Sequence, residues 1–246
     1  MTQFSAIVVI PVYNHGGAIG AMVERIRGLD VPCLLVDDGS AADCAAILDQ
    51  LVSGQVSLLR LPENQGKGGA VMAGLREAMR RGFSHALQID ADGQHDPADI
   101  PGFLAEARQH PQALVTGCPI YDASVPKGRL YGRYATHIWV WINTLSFDIR
   151  DSMCGYRVYP LAPTIDLIDS VNIGRRMDFD SEILVRMHWR GVPLRNRATR
   201  VTYPLDGVSH FDVWRDNLGI SRMHAMLFFG MLIRLPALLL SKWRRA

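Results

Sequence analysis

A doubly wound α/β fold, a Rossmann-like and mostly parallel sheet with helices on both faces, is what this sequence predicts, and three observations predict it. Apolar, β-branched runs recur at Ala6–Val12 and at residues 31–37, 56–61, 85–90 and 113–117, the way strands buried on both faces read. Between them, residues 18–29, 42–52, 68–81 and 97–109 space their apolar side chains as helices do, each after a polar or proline start. Strand and helix alternate in this way at least four times without a repeat, a low-complexity tract or a long linker.

In such sheets ligands bind at the carboxyl ends of the strands. The loops at those ends are therefore the places to look for chemistry. The first strand runs into Pro11-Val12-Tyr13-Asn14 and the second into Asp37-Asp38-Gly39-Ser40. Carboxylates beside that tight glycine turn suit base and ribose donors, and Ser40 or Asp43 also suits a helix N-cap. After the third strand, Asn64-Gln65-Gly66-Lys67-Gly68-Gly69 precedes a helix, a cradle for phosphate or ribose that lacks P-loop spacing. No strand leads into the G-x-G-x-x-G dinucleotide fingerprint, which argues against a nicotinamide cofactor.

The fourth strand ends in Asp90-Ala91-Asp92-Gly93-Gln94. Asp90, Asp92 and Gln94 offer hard oxygen ligands, which suit Mg²⁺ or Mn²⁺ better than zinc. Alone, an Asp-x-Asp is more often an acidic turn capping the next helix. Its position among three other unusual loops at one sheet edge gives it weight.

From about Tyr121 the pattern changes to a stretch rich in Arg, Tyr and Trp, then Cys154-Gly155-Tyr156-Arg157, a helix near 180–189 and short strands around 192–203. Lys127, Arg129 and Arg133 lie among Tyr131, Tyr134, Trp139 and Trp141, a cationic cluster beside a membrane-interface type of surface that suits a lipid phosphate. A solvated basic helix with core aromatics fits the same pattern. Arg157 would add a bidentate phosphate donor. Asp178, Asp180 and Glu182 precede a helix, as general-base candidates for a hydroxyl acceptor or as charges complementing the helix dipole.

Bulk properties narrow the class. The chain has 246 residues, 48% hydrophobic and 20% charged, with 26 basic against 24 acidic side chains, so its net charge gives no argument for nucleic acid. Cys33, Cys44, Cys118 and Cys154 show no metal or disulfide spacing, and no export signal is visible at the start. Both point to a cytoplasmic location. The tail from Trp214 combines Met and aromatic residues with Arg222, Arg234, Lys242, Arg244 and Arg245. It reads as an interfacial amphipathic helix or helix pair, with Arg234 and Pro236 cutting the apolar run short of a bilayer span. A helix packed on the domain, or on a second copy in a homo-oligomer, remains the alternative. His210 lies in a loop before this tail and packs there or closes over a ligand.

VIPVYN, VDDGS, NQGKGGA, DADGQHDP and CGYRVY, in that order between Val9 and Tyr159, resemble the motifs of glycosyltransferase family 2. Within it, the chain is most similar in style to polyprenyl-phosphate hexose transferases such as dolichol-phosphate mannose synthases. The resemblance implies a glycosyltransferase A fold, a nucleotide-diphosphate sugar donor, one divalent ion and inversion at the anomeric carbon. Pro11, Tyr13 and Asp38 match base-enclosing positions, and Asp90, Asp92 and Gln94 match metal and diphosphate positions. Asp180 matches the acidic position before the helix. His15 replaces a common Glu, so the family's nucleotide is not carried over, and UDP is the first expectation with GDP-mannose left open; Gly117-Cys118-Pro119 replaces a common Gly-Ser-Arg, which leaves the acceptor's identity open.

The expected organisation is a catalytic domain over residues 1–210, with a nucleotide-sugar half at 1–118 and an acceptor half at 119–210, followed by a membrane-associating tail at 211–246. The expected activity is hexose transfer to a lipid phosphate, peripheral on the inner face of the cell membrane. Transfer to a glycan or lipid hydroxyl with Asp180 as base is one rival, and nucleotidyl transfer, recognised by pyrophosphate release, is another.

Overall fold

The computed structural model describes residues 3–120, 127–202 and 212–243, without the side chains of residues 127–131 and 241–243. His210 and the side chains of Lys127, Arg129, Tyr131, Lys242, Arg244 and Arg245 therefore lie outside the described residues. One seven-stranded sheet forms the centre, in the order β3-β2-β1-β4-β6-β5-β7. Its left side is β1 (Ala6–Val12), β2 (Cys33–Asp37), β3 (Val56–Arg60) and β4 (His85–Gln88), all parallel. Pro11 sits in a central strand without breaking a ladder, because β1 pairs with β4 only as far as Val9↔Gln88.

The right side departs from simple alternation. β5 (Leu114–Ile120) and β7 (Leu194–Arg200) pair in parallel, while β6 (Arg157–Pro160) enters between β4 and β5 and runs antiparallel to both. The Gly-Tyr-Arg segment was not expected as a strand. It is four residues long and buried throughout, so it shows no period-two alternation to read. The short strands expected around 192–203 are one strand of the main sheet.

Both sheet faces are covered, as the continuous apolar runs require. Ile7 and Val9 of β1 face one core with Val36, Leu75 and Phe179, under α3 (Lys67–Arg80), α6 (Leu161–Ser170) and α7 (Phe179–Trp189). Val8, Ile10 and Val12 face the other with Leu35 and Phe103, under α1 (Gly16–Arg27), α2 (Ala42–Leu51) and α4 (Ile100–Gln109). Each fully buried aliphatic side chain contributes roughly 1.5–3 kcal/mol.

Of the helix or helix pair expected for the tail, the structure has one helix, α8 (Val213–Trp243), which continues through Pro236. Residues Val213–Leu240 of it are long and apolar enough, by length and composition, to cross a membrane. Arg234 does not interrupt the apolar surface as its sequence position suggests, because its guanidinium lies 4.7 Å over the Trp189 ring and donates to the Gly230 carbonyl at 3.0 Å. Met223, Leu227 and Met231 pack inward, on the side of α5 (Lys127–Thr144) and α7, whereas Leu218, Phe229 and Ile233 remain exposed.

Candidate active site

The loops that follow β1 and β2 are tied to each other by backbone amides. Asn14, at φ 55°, accepts the Ala41 amide on Oδ1 at 2.8 Å, and its own amide donates to Ser40 Oγ at 3.1 Å. Asp37 accepts the Ser40 amide at 2.9 Å and Arg60 Nε at 2.9 Å. Asp38 accepts the amides of Gln65 and Gly66 at 2.7 and 3.0 Å. Burial pushes the Asp38 carboxyl upward, and those two amides offset part of the shift. Both aspartates thus shape the crevice by holding its loops. Pro11 pairs with Val36 next to the last residue of β1, Val12, and Tyr13 follows the strand, half-buried.

Lys67 opens α3 and points beneath the site instead of outward as a phosphate cradle. Its Nζ lies 2.7 Å from Asp90 Oδ2 and 2.8 Å from Asp180 Oδ2. Burial works against its charge, but Asp180 and Asp90 prevail and hold its proton more tightly than usual. The same contact keeps Asp90 ionised against burial. Three glycines make this approach feasible. Gly66 has φ 86° and presses on the Arg175 carbonyl, a side chain on Gly68 would enter the Phe179 ring, and one on Gly155 would fall on the Asp90 carboxylate.

Asp90 Oδ1 also accepts Gln88 Nε2 at 3.2 Å, while Gln88 Oε1 accepts the Tyr159 hydroxyl at 2.9 Å. Asp92 is held by the Gln94 amide at 3.0 Å, and Thr202 donates to the Gln94 carbonyl at 3.0 Å. Asp90, Asp92, Gln94 and His95 line a cavity together with Arg133, Met153, Cys154 and Gly155. Ala91, between the two aspartates, is buried in the core and serves to direct them.

The oxygen-bearing side chains here fit a divalent cation. Burial and then the neighbouring Asp90 charge push the Asp92 carboxyl upward, and the Gln94 amide and the Lys67 charge offset part of that shift. His95 Nδ1, buried beside them, has no hydrogen-bond partner among the described residues, and its ring stands 5.2 Å from that of Tyr156. The donor set is oxygen-rich and suits Mg²⁺ or Mn²⁺.

The predicted acceptor residues separate. Arg133 reaches the cavity and donates from Nε and Nη2 to Asp151 at 2.6 and 2.8 Å. Arg157, read from sequence as a phosphate donor, does not line the cavity. It is fully buried, donating to the Ser152 carbonyl at 2.9 Å with Nη1 3.5 Å from Asp180 Oδ1. Asp180 itself is buried between Arg157 and Lys67. Sequence reasoning missed Asp151, Gln88, Tyr159 and the approach of Gly155. A glutamine inside an otherwise apolar strand was a signal for Gln88; Asp151 had none beyond its nearness to the CGYR segment.

Two aspartates just beyond β4, lining a cavity on a mostly parallel sheet, fit the arrangement that the sequence motifs imply for a glycosyltransferase. Residues 7–164 match Glycosyl transferase family 2, and the chain belongs to that family. It is 28% identical over 191 residues to undecaprenyl-phosphate mannosyltransferase of Micrococcus luteus, covering 70% of this chain and 74% of that one. It is 31% identical over 196 residues to UDP-N-acetylglucosamine--dolichyl-phosphate N-acetylglucosaminyltransferase of Methanococcus voltae, covering 72% and 78%. Glucosyl-3-phosphoglycerate synthase from Mycobacterium tuberculosis superposes with a TM-score of 0.63 over 93% of this chain and 80% of that chain. At 16% identity the likeness is one of fold.

Proposed function

We propose that the protein is an inverting, metal-dependent hexosyltransferase that moves a hexose from a nucleotide-diphosphate sugar, UDP-linked by preference with GDP-mannose the alternative, to a polyprenyl phosphate at the cytoplasmic face of a membrane. The observation that carries this is the shared cavity, which Asp90, Asp92, Gln94 and Arg133 all line. A departing diphosphate calls for a cation at the carboxylates, and an anionic acceptor calls for the guanidinium. The relatives from Micrococcus luteus and Methanococcus voltae are named for undecaprenyl phosphate and dolichyl phosphate, which supports that acceptor class.

Asp90, Asp92 and Gln94 would hold Mg²⁺ or Mn²⁺, which supplies positive charge to a diphosphate as its bond to the sugar breaks. Lys67 keeps Asp90 ionised for that role. An acceptor phosphate oxygen forms the new bond to the anomeric carbon, and the electron pair of the old bond leaves with the nucleoside diphosphate. A phosphate monoester, with a second pKa of about 6, is already largely deprotonated at pH 7 and needs no strong base. Engagement of Asp180 by Lys67 and Arg157 supports that route over the hydroxyl acceptor that would need it as a base. Exposed Tyr134, Ile138 and Trp139 on α5, with Phe229 and Ile233 on α8, support association with a membrane.

Replacing Arg133 by Ala tests the reading directly. Transfer to polyprenyl phosphate is expected to fall about 100-fold, the size of losing two charge-assisted hydrogen bonds, while the donor still binds with Mn²⁺ present. Unchanged transfer kinetics would overturn the assignment.

A further inference from the structure

We propose that Asp151 is a positioning residue for the acceptor, acting through Arg133 and not by touching substrate; this rests on reading Arg133 as the ligand of the acceptor phosphate. Arg133 is the seventh residue of α5, in its second turn. A guanidinium on such a long side chain samples many rotamers unless something fixes its plane. Asp151 fixes it with a two-bond fork of 2.6 and 2.8 Å.

The carboxylate making that fork is itself immobilised. It is almost fully buried, and Oδ1 also accepts the amides of Met153 and Cys154 at 2.9 and 2.8 Å. His137, one helical turn beyond Arg133, brings Nε2 to 3.3 Å from Oδ2 while its Nδ1 lies 3.1 Å from Ser152 Oγ. The turn is anchored in turn, since the Ser152 carbonyl accepts Arg157 Nη2 at 2.9 Å and Ser181 Oγ at 3.2 Å. Arg157 continues through Asp180 and Lys67 to Asp90. One chain of polar contacts therefore sets the acceptor arginine at a fixed place relative to the metal carboxylates. Asp151 does not line the cavity, whereas Arg133 does.

The test is a double-mutant cycle on transfer kinetics with polyprenyl phosphate. Asp151→Asn keeps an Oδ1 acceptor for the two turn amides but removes the charge facing the guanidinium. It should raise the acceptor KM about tenfold, the loss expected for one charge-assisted bond, and leave the donor KM unaltered. In the Arg133→Ala background it should change the acceptor KM less than about twofold, because coupled residues are not additive. Independent, multiplying effects, or an unchanged KM in Asp151→Asn alone, would overturn the proposal. If Asp151→Asn does not fold, Arg133→Lys decides: it keeps the charge and loses the fork, so its KM should rise, and a wild-type KM refutes the fork's role. An unaltered KM in Arg133→Ala alone would instead refute the acceptor reading on which the proposal stands.

Discussion

The two edges of the crevice are held by different kinds of bond. On the proposed donor side, Asn14 and Asp38 spend side-chain oxygens on backbone amides of neighbouring loops, and Asp37 takes the Ser40 amide of its own loop along with the Arg60 guanidinium. On the acceptor side, Arg133, Asp151, Arg157, Asp180 and Lys67 hold each other by side chain alone or through one turn. Backbone-anchored loops keep their shape whatever enters, which suits a nucleotide bound the same way each cycle. A row of paired charges can instead exchange partners when an anionic acceptor arrives, at a cost set by how well each charge stays paired.

Four experiments press on that contrast. The largest effect is expected at the seam: Asp92→Asn should lower metal-dependent turnover about 1,000-fold by removing a diphosphate-side ligand, read as nucleoside diphosphate release across a Mn²⁺ titration, and full activity would refute a shared seam. Chelation of the metal in the wild type should do the same. Gly155→Ala should follow at about 100-fold, because the added methyl displaces the Asp90 carboxylate and a shift near 1 Å in a reacting geometry costs that much; an unaltered kcat would mean that Asp90 tolerates movement. On the donor side only, Asp38→Ala leaves two loop amides unpaired and should cost about 2 kcal/mol of donor affinity, with the acceptor KM unaltered as the control. The smallest effect belongs to His224, buried on α8 with its ring 6.2 Å from that of Trp139. Burial pushes it down to about 4, so it is neutral in the fold and the unfolded chain binds more protons below its ordinary value. Stability should therefore fall as pH drops from about 6.5 towards 4, by up to about 3 kcal/mol, and His224→Phe should flatten thermal unfolding across that window.

The same contrast explains what could be read from the sequence. The first half of the fold was legible because its strands are continuous apolar runs and its candidate residues sit at or within a few positions of a strand end, as Asp37, Asp38, Asp90 and Asp92 do. The acceptor side depends on partners far apart in the chain. Lys67 meets Asp180 across 113 positions, and no local pattern announces that pairing. Arg157 looked like a free phosphate donor because its burial follows from β6 entering between β4 and β5. The tail's apolar run looked cut short of a bilayer span because a sequence does not show that Trp189 takes up Arg234.

That insertion of β6 also orders events during synthesis. Strands β1 to β4 are joined by successive helices and find all their mutual partners within the first 88 residues, so they can pair before the rest of the sheet is made. β5 has no neighbour in the sheet until β6 arrives some 40 residues later to bridge it to β4, and β7 completes the edge only near residue 200. A nascent chain thus carries a formed nucleotide side while its acceptor side is still unpaired. The exposed edge of β4 over that interval is the place where a truncated or stalled product would be most prone to pair with another chain.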